Sequence, residues 1–302
     1  MRVSTATINQ ALRNNALELQ GEYNKALLQQ SSGLASQSLS GLNGGAEAKV
    51  NLDNQYARSK QLVTQAETAQ LDIETAYAAM GSITDLLSEA KTMIASTLSG
   101  VSNDASTLVA SAASWMEDIA DLLNTDLGGR YVFAGSGGST PAVDLEAADY
   151  DPLADATQAD GDYYVGKDAS SAILVNDGET LEYGVTAADP AFEKALRAFA
   201  MLADMDASAA DETTIQAAYA LLEEAETGVA QVQEQLSAQA SRIEGFIADE
   251  TSYQGILETA LENLQSVDVA EAAARVSEYE TLLQASYSAL ASVTGLSLTD
   301  YL

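Results

Sequence analysis

Two long stretches of the sequence, residues 52–98 and 222–267, place small or apolar residues at alternating spacings of three and four. A helix with this spacing presents one continuous stripe to a partner helix, as in coiled coils and helical bundles. Neither stretch contains proline, which would break a helix interior. At 1.5 Å per residue, the first stretch would form a helix about 70 Å long. The sequence therefore predicts two long helices that pack side by side and antiparallel.

Each stretch carries two lines of seam residues. In the first stretch the lines are Leu52, Ser59, Ala66, Ile73, Met80, Leu87 and Ile94, and Tyr56, Val63, Gln70, Tyr77, Thr84, Lys91 and Leu98. In the second they are Leu222, Val229, Leu236, Ile243, Glu250, Leu257 and Leu264, and Ala225, Val232, Gln239, Phe246, Tyr253, Ala260 and Val267. The polar residues in these lines suit a bundle with partly exposed stretches better than a continuous dimeric zipper.

A shorter helix is expected over residues 105–127, where Gly100 and the following "VSND" supply a turn and Asn103 or Asp104 a cap. The apolar positions of this helix are Leu108, Trp115, Met116, Ile119, Leu122 and Leu123. We expect it to fold back on the first long helix as an antiparallel hairpin.

Both ends of the chain carry apolar stripes that have no evident partner except each other or another copy of the chain. A Gly-rich joint, 31–45, separates the N-terminal stripe from the first long helix. We expect the stripes to form an assembly interface through Ile8, Leu12, Leu19, Tyr23, Val276, Tyr279, Leu283, Leu290 and Val293.

The middle of the chain changes from Ala-rich helical patterns to short segments with strand propensity. Four strands are expected, at 131–135, 162–166, 171–175 and 180–185. Asn176, Asp177 and Gly178 offer a hairpin turn between the last two strands. A helix then restarts with Asp189 as N-cap and Pro190 at its first position.

The predicted fold is mainly α with a β insertion: an elongated antiparallel helical rod with coiled-coil-like termini, plus a small central β domain. Residues 1–40 and 268–302 would form terminal helices that are disordered in the monomer and line an inner tube after assembly. Residues 41–133 and 192–267 would form the helical rod. Residues 134–191 would form an outer, β-rich insertion.

Composition excludes several classes of function. The net charge is −32, from 45 acidic and 13 basic residues, so nucleic acid and anionic membrane surfaces are unfavourable partners. The chain contains neither Cys nor His, which removes the usual nucleophile–base pairs and zinc ligand sets. No stretch is apolar enough to span a membrane. We therefore expect a protein that is not an enzyme, with no cofactor and no metal site.

The segment "GGRYVFAGSGGST", residues 128–140, poses a choice between a phosphate-binding loop and a hinge. A dinucleotide-binding loop needs a strand before it and a helix directly after it, and a P-loop needs a suitably placed lysine. Ser139, Thr140 and Pro141 follow instead. A hinge between rod and insertion is favoured, formed by Gly128, Gly129, Gly135, Gly137 and Gly138.

The acidic run that follows the glycines raises the question of calcium binding. Asp149 and Asp151 fit the first two ligand positions of an EF-hand loop, but Leu153 and Ala154 do not fit the next ones. Solvated loop charge is the better interpretation of this run.

Four short segments of the sequence stand out: "SSGL" at 31–34, "GRYVFAGS" at 129–136, "LLQASYSAL" at 282–290 and "LSLTDYL" at 296–302. They are similar to segments of the flagellin superfamily and, within it, of the hook–filament junction proteins. The resemblance covers residues 1–136 and 192–302, whereas the middle matches only loosely. The Leu-Leu-Arg type of tail with which flagellins proper usually close is absent.

The resemblance implies a structural subunit of the bacterial flagellum that joins a hook-associated protein to the flagellin filament. It implies as partners further copies in a ring, flagellin, the neighbouring hook-associated protein and an export chaperone. It also implies an extracellular location reached without a cleaved signal peptide. Two alternatives remain open: a filament flagellin, and a secreted coiled-coil stalk protein with a binding β head.

Overall fold

A computed structural model describes residues 2–42, 44–100, 105–176, 179–208 and 211–299 of the chain. They form two compact units. Unit 1 is drawn from residues 1–58 and 253–302, and unit 2 comprises residues 59–252. Helices and strands follow in the order α1 (Arg2–Ser32), α2 (Ala46–Leu98), α3 (Ala105–Leu123), β1 (Ser171–Asn176), β2 (Glu179–Tyr183), α4 (Pro190–Ala203), α5 (Glu212–Gln265) and α6 (Val269–Thr299). A mainly helical fold with a small β part is thereby confirmed.

Helix α2 buries one of its two predicted seam lines and not the other. From Ser59 to Ile94 the first line is buried throughout, but Tyr77 of the second line is 46% exposed. The second buried line runs one position earlier in each heptad, through Leu62, Ala69, Ala76, Ile83 and Ala90. Our assignment of the second line was wrong, because both lines keep the spacing of three and four and the alanines at 69, 76 and 90 gave little sign of which one is buried.

Helix α5 buries both predicted lines through most of unit 2, including Leu222, Val232 and Leu236, whereas Gln239, Phe246 and Glu250 are half-buried. It lies antiparallel to α2 in each unit. In unit 2, Lys91 Nζ contacts Glu226 Oε2 at 2.7 Å. In unit 1, Tyr56 Oη donates to Glu258 Oε1 at 2.7 Å. The predicted pairing of the two long helices is therefore present.

The core of unit 2 is completed by α3 and α4. The Trp115 and Phe199 rings lie 5.5 Å apart between centroids. Asp189 caps α4 by accepting a hydrogen bond from Ala191 N, and Pro190 is the first helical residue, as expected. Helix α3 ends at Leu123, four residues before the expected end. The reason is Asn124, whose side chain bonds the backbone of 142–143. The predicted turn and caps at 101–104 lie outside the described residues.

Two of the four expected strands form, and they pair as an antiparallel hairpin with Ile173 opposite Leu181. The predicted strands at 131–135 and 162–166 are wrong: Tyr131 makes one isolated bridge to Asp126, and Tyr164 makes one to Val143. Their backbone groups are used in tight loops, which strand propensity alone does not reveal. The turn residues Asp177 and Gly178 lie outside the described residues.

Candidate assembly surface

Helices α1 and α6 pack on each other in unit 1. Helix α1 is followed by Gly33, whose φ of 70° turns the chain. Gly33 O accepts from Val267 N at 3.0 Å, and Ala35 N donates to Gln265 O at 2.7 Å. These bonds place the C-terminal end of α1 beside the N-terminal end of α6, so the two helices run antiparallel.

The "SSG" turn at the end of α1 is held by local side-chain bonds. Ser31 Oγ and Ser32 Oγ both donate to Leu28 O, at 3.1 and 2.6 Å, and Gly33 N donates to Gln29 O at 2.9 Å. Gln29 Nε2 donates to Ala35 O at 2.7 Å, and Gln29 is itself buried. The similarity of "SSGL" to a flagellin turn thus has a physical basis in capping.

The expected interface residues lie mostly along the contact between α1 and α6. Leu283 is buried, together with the alanines Ala16, Ala26 and Ala272. Half-buried positions are Leu12, Leu19, Tyr23, Val276, Tyr279 and Leu290. Ile8 is 51% exposed, and the side chain of Val293 lies outside the described part of the chain. The two terminal stripes thus cover each other incompletely within one chain.

A second set of apolar side chains on these helices was not identified from the sequence. It consists of Leu17, Leu27, Leu28, Leu282 and Tyr287, each more than two-fifths exposed. Leu17 and Leu28 are eleven residues apart, about three helical turns, so they lie on one side of α1. This spacing was the signal in the sequence that would have found them.

A groove of about 420 Å³ lies beside Leu28, between α1 and the segment that follows it. Gly21 leaves space on the helix side, and Leu34, Ala35 and Gly41 line the other side. Most of the lining surface is apolar. This side of α1 therefore combines exposed leucines with a largely apolar cleft.

The electrostatic setting of this surface differs from that of the chain as a whole. Residues 1–58 carry five basic and four acidic side chains, whereas residues 253–302 carry one basic and seven acidic side chains. Arg275 lies 3.5 Å from Glu271 on α6. Unit 1 thus holds a nearly neutral N-terminal half and an acidic C-terminal half.

Of the glycines expected to form a hinge, Gly135, Gly137 and Gly138 are closely packed within unit 2, whereas Gly128 and Gly129 face open space. Gly128, Gly129, Gly135 and Gly137 have φ between 63° and 97°, a region that favours glycine. A Cβ at Gly135 would collide with the carbonyl of Lys167. These glycines permit sharp turns and close backbone approach, and motion about them stays a prediction.

The "GRYVFAGS" segment is tied to three other parts of unit 2. Phe133 is fully buried and its ring packs edge-on against Phe192 at 6.3 Å between centroids. Phe133 O accepts from Ala187 N at 2.9 Å, and Ala134 O accepts from Lys167 N at 2.9 Å. Val132 N donates to Thr125 O at 3.1 Å. The motif thus joins the end of α3 to both sides of the insertion.

A buried ion pair on α4 holds the acidic loop that precedes β1. Glu193 and Arg197 lie one helical turn apart at 3.0 Å, and both are more than nine-tenths buried. Glu193 accepts from Asp160 N, and Arg197 donates to Ala156 O. Burial raises the pKa of Glu193 above its usual value.

The carboxylates of the acidic loop mainly accept hydrogen bonds from neighbouring backbone amides. Asp151 accepts from Leu153 N and Ala154 N, and Asp160 accepts from Asp151 N at 2.7 Å. A bond from Thr157 lowers the pKa of Asp155. Across the described ranges, no cluster of three or more Asp and Glu side chains could hold a metal ion. None of the helices within those ranges is long and apolar enough to cross a membrane.

Both helical ends of the chain match families of known proteins. Residues 3–137 match the bacterial flagellin N-terminal helical region, and residues 213–302 match the bacterial flagellin C-terminal helical region. A comparison with curated protein sequences finds no match.

Two solved structures are similar to this fold. One is described as the structure of a putative flagellar hook-associated protein from Vibrio parahaemolyticus, with 12% identity, a TM-score of 0.58, and coverage of 72% of this chain and 96% of that one. The other is FlgL from Bacillus cereus, with 12% identity, a TM-score of 0.40, and coverage of 74% and 96%. At this identity the first similarity establishes the fold. With both conserved helical regions of flagellin present at the two ends, the chain belongs to the flagellin superfamily as a structural protein of the flagellum.

Proposed function

We propose that this chain is the subunit that joins a hook-associated protein to the flagellin filament, and that it assembles through α1 and α6. The two flagellin helical regions and the fold shared with a chain described as hook-associated support the general role. The short motifs "GRYVFAGS" and "LSLTDYL" support the junction over the filament.

One observation carries the choice of assembly surface. Sixteen large apolar side chains are exposed among the described residues, and eleven of them belong to unit 1. Burying such side chains gains about 25 cal/mol per Å² of apolar surface. A surface of this kind on a monomer indicates a protein interface.

The proposed division of the chain follows from this surface. Residues 1–40 and 268–302 form the inner part of the assembly and are disordered in the isolated monomer, because two helices with few buried contacts are marginally stable. Residues 41–133 and 192–267 form the helical body, and 134–191 the outer insertion. The hinge of this body is placed at Gly128, Gly129, Gly135, Gly137 and Gly138.

The proposed partners are other copies of the chain in a ring, the neighbouring hook-associated protein on one side, and flagellin on the other. An export chaperone would cover the terminal helices before assembly. The proposed location is the extracellular flagellum, reached by export without a cleaved signal peptide.

The test replaces an outward leucine of unit 1 and an equally exposed leucine of unit 2. Leu28→Asp puts a charge into the proposed interface, whereas Leu71→Asp, at a position 49% exposed on α2, serves as the control. We expect both variants to fold, because neither site is buried. We expect only Leu28→Asp to stop co-assembly with flagellin, measured by pelleting and negative-stain microscopy.

The same assay separates the alternatives. A junction subunit makes rings or short caps and promotes growth of flagellin, whereas a filament flagellin extends into long filaments by itself. A stalk protein with a binding head does neither. Normal assembly of the Leu28→Asp variant would refute the proposed surface.

A further inference from the structure

Asp72 is a buried carboxylate in the middle of α2, only 6% exposed. Its neighbours on the helix include Ala69, Ile73 and Ala76, all buried. An ionised carboxylate in such surroundings is unfavourable unless it is paired and fully hydrogen-bonded. The presence of Asp72 among these buried apolar side chains therefore needs an explanation.

Two donors from distant parts of the chain meet at one oxygen of Asp72. Arg130 Nη2 donates to Asp72 Oδ2 from the "GRYVFAGS" segment, 58 residues away in sequence. Tyr183 Oη donates to the same oxygen at 3.0 Å from the end of β2, 111 residues away. One carboxylate thus connects α2, the segment after α3 and the hairpin, all within unit 2.

The bonding around Asp72 is poorly suited to adding stability. Among the residues that the structure describes, none donates a hydrogen bond to its other oxygen, Oδ1, which is also buried. The Arg130 side chain remains 46% exposed, so much of its charge interacts with water. A buried carboxylate with one unsatisfied oxygen retains much of its desolvation penalty.

Around Asp72 the buried residues of α2 are mostly alanine, at positions 66, 69, 76 and 79. Such a surface distinguishes poorly between neighbouring registers, because its side chains are alike in size. Buried polar residues in helical bundles are best known for fixing register at a cost in stability. We propose that Asp72 is such a specificity residue. It selects one placement of the "GRYVFAGS" segment and the β1–β2 hairpin on α2, with Arg130 and Tyr183 as its partners.

A second polar interruption supports this assignment independently. Gln239 lies on a seam of α5, where its side-chain Oε1 accepts from Gly184 N at 2.8 Å. Its Nε2 donates to Gly184 O at 3.4 Å. Gly184 directly follows Tyr183, so both polar seam residues hold the same end of the hairpin.

The test separates stability from specificity in the full chain. Arg130→Met leaves the carboxylate buried and unpaired, and we expect it to lower the urea midpoint of unfolding. The triple variant Asp72→Leu, Arg130→Met, Tyr183→Phe removes the whole polar group. We expect its midpoint to equal or exceed that of the natural chain, while the hairpin amides of residues 171–183 exchange with deuterium on the order of tenfold faster.

Tyr183→Phe alone provides a milder variant, because Asp72 keeps its arginine. It should accelerate exchange in the hairpin with little change in midpoint. The matched control is the exposed pair Lys194–Glu224, 2.8 Å apart, whose replacement by Met and Leu should change neither readout.

Two outcomes would overturn the proposal. If the triple variant exchanges its hairpin amides as slowly as the natural chain, Asp72 does not fix the placement of the hairpin. If the triple variant unfolds at a lower urea concentration than Arg130→Met, or fails to fold, the polar group serves stability instead. Neither outcome bears on the assembly surface, which lies in unit 1.

Discussion

The two units of this chain use apolar residues in opposite ways. Of the 48 apolar side chains that are buried among the described residues, 43 lie in unit 2 and five in unit 1. Unit 1 nevertheless holds most of the large apolar side chains that are exposed. Unit 2 has a core of its own, whereas unit 1 offers apolar surface that a single chain does not cover.

Charge follows the same division. Residues 59–252 carry 34 acidic and seven basic side chains, a net charge of −27, and the remainder of the chain carries −5. High net charge keeps a surface hydrated and discourages self-association. Unit 2, which has a core, is thus the unit whose charge strongly repels another copy of the chain. Unit 1, which lacks such a core, carries little net charge to oppose the approach of another copy.

Limited proteolysis tests the comparison where the expected effect is largest. Opening of marginal helices costs little free energy, whereas cleavage inside a packed core requires unfolding of the whole unit. We expect brief digestion of the monomer to remove both termini and to leave a fragment near 45–265, identified by mass spectrometry. Equal resistance of the termini and the core would contradict the proposed difference.

Truncation of one leucine in each unit gives the next largest effect. Leu236 is fully buried in unit 2, and Leu236→Ala should lower the free energy of unfolding by about 2–5 kcal/mol. Leu17 is 67% exposed in unit 1, so Leu17→Ala should change the free energy of unfolding by about 0.5 kcal/mol or less. Urea denaturation followed by circular dichroism measures both, and similar losses would remove the distinction.

Removal of one tyrosine hydroxyl in each unit sharpens the comparison on a smaller scale. Tyr163 is fully buried and its hydroxyl donates to Ala187 O at 2.8 Å. Tyr163→Phe strands that carbonyl and should cost about 1–3 kcal/mol. Tyr56 in unit 1 donates to Glu258 in an exposed pair, so Tyr56→Phe should leave the stability of the chain almost unchanged. The two thermal unfolding curves should separate accordingly.

The dependence of stability on pH gives the smallest effect, and it belongs to unit 2. Burial raises the pKa of Glu193 above its usual 4.5, so the folded chain binds this proton more tightly than the unfolded chain. Its contribution to stability is complete below pH 4.5 and is lost as the pH rises through the folded-state pKa. The melting temperature should therefore decline as the pH rises from 5 to 8, and Glu193→Gln should reduce that decline. An unchanged slope in that variant would assign the decline to other groups.

The sequence pattern located the long helices because their signal is repeated many times. Each heptad of α5 gives the same information, and Asp189 and Pro190 mark the start of α4 by local geometry alone. The pattern misplaced one line of α2 because two lines keep the same spacing of three and four, and Ala69, Ala76 and Ala90 carry little hydrophobic signal. Strand propensity in "YVFAG" likewise did not reveal that its amides are used in a turn.

The polar residues in the seams also make contacts that the sequence pattern did not predict. Gln239 and Lys91 are polar residues in the predicted seam lines, and Lys91 was interpreted as a break in its line. In the folded chain Gln239 bonds Gly184, and Lys91 contacts Glu226. Asp72, Arg130 and Tyr183 carry no common motif, since Asp72 and Tyr183 are 111 residues apart and their meeting depends on the path of the chain between them. Only tertiary structure brings such groups together.

By itself the sequence determined that this chain forms long paired helices with a β-containing insertion, since periodicity and capping are local properties. It also determined that the ends carry apolar stripes. Only the tertiary structure decided that these stripes cover each other in part, and that further leucines on α1 remain exposed. The physical reason is that burial is a property of neighbours, and neighbours distant in sequence are chosen by packing.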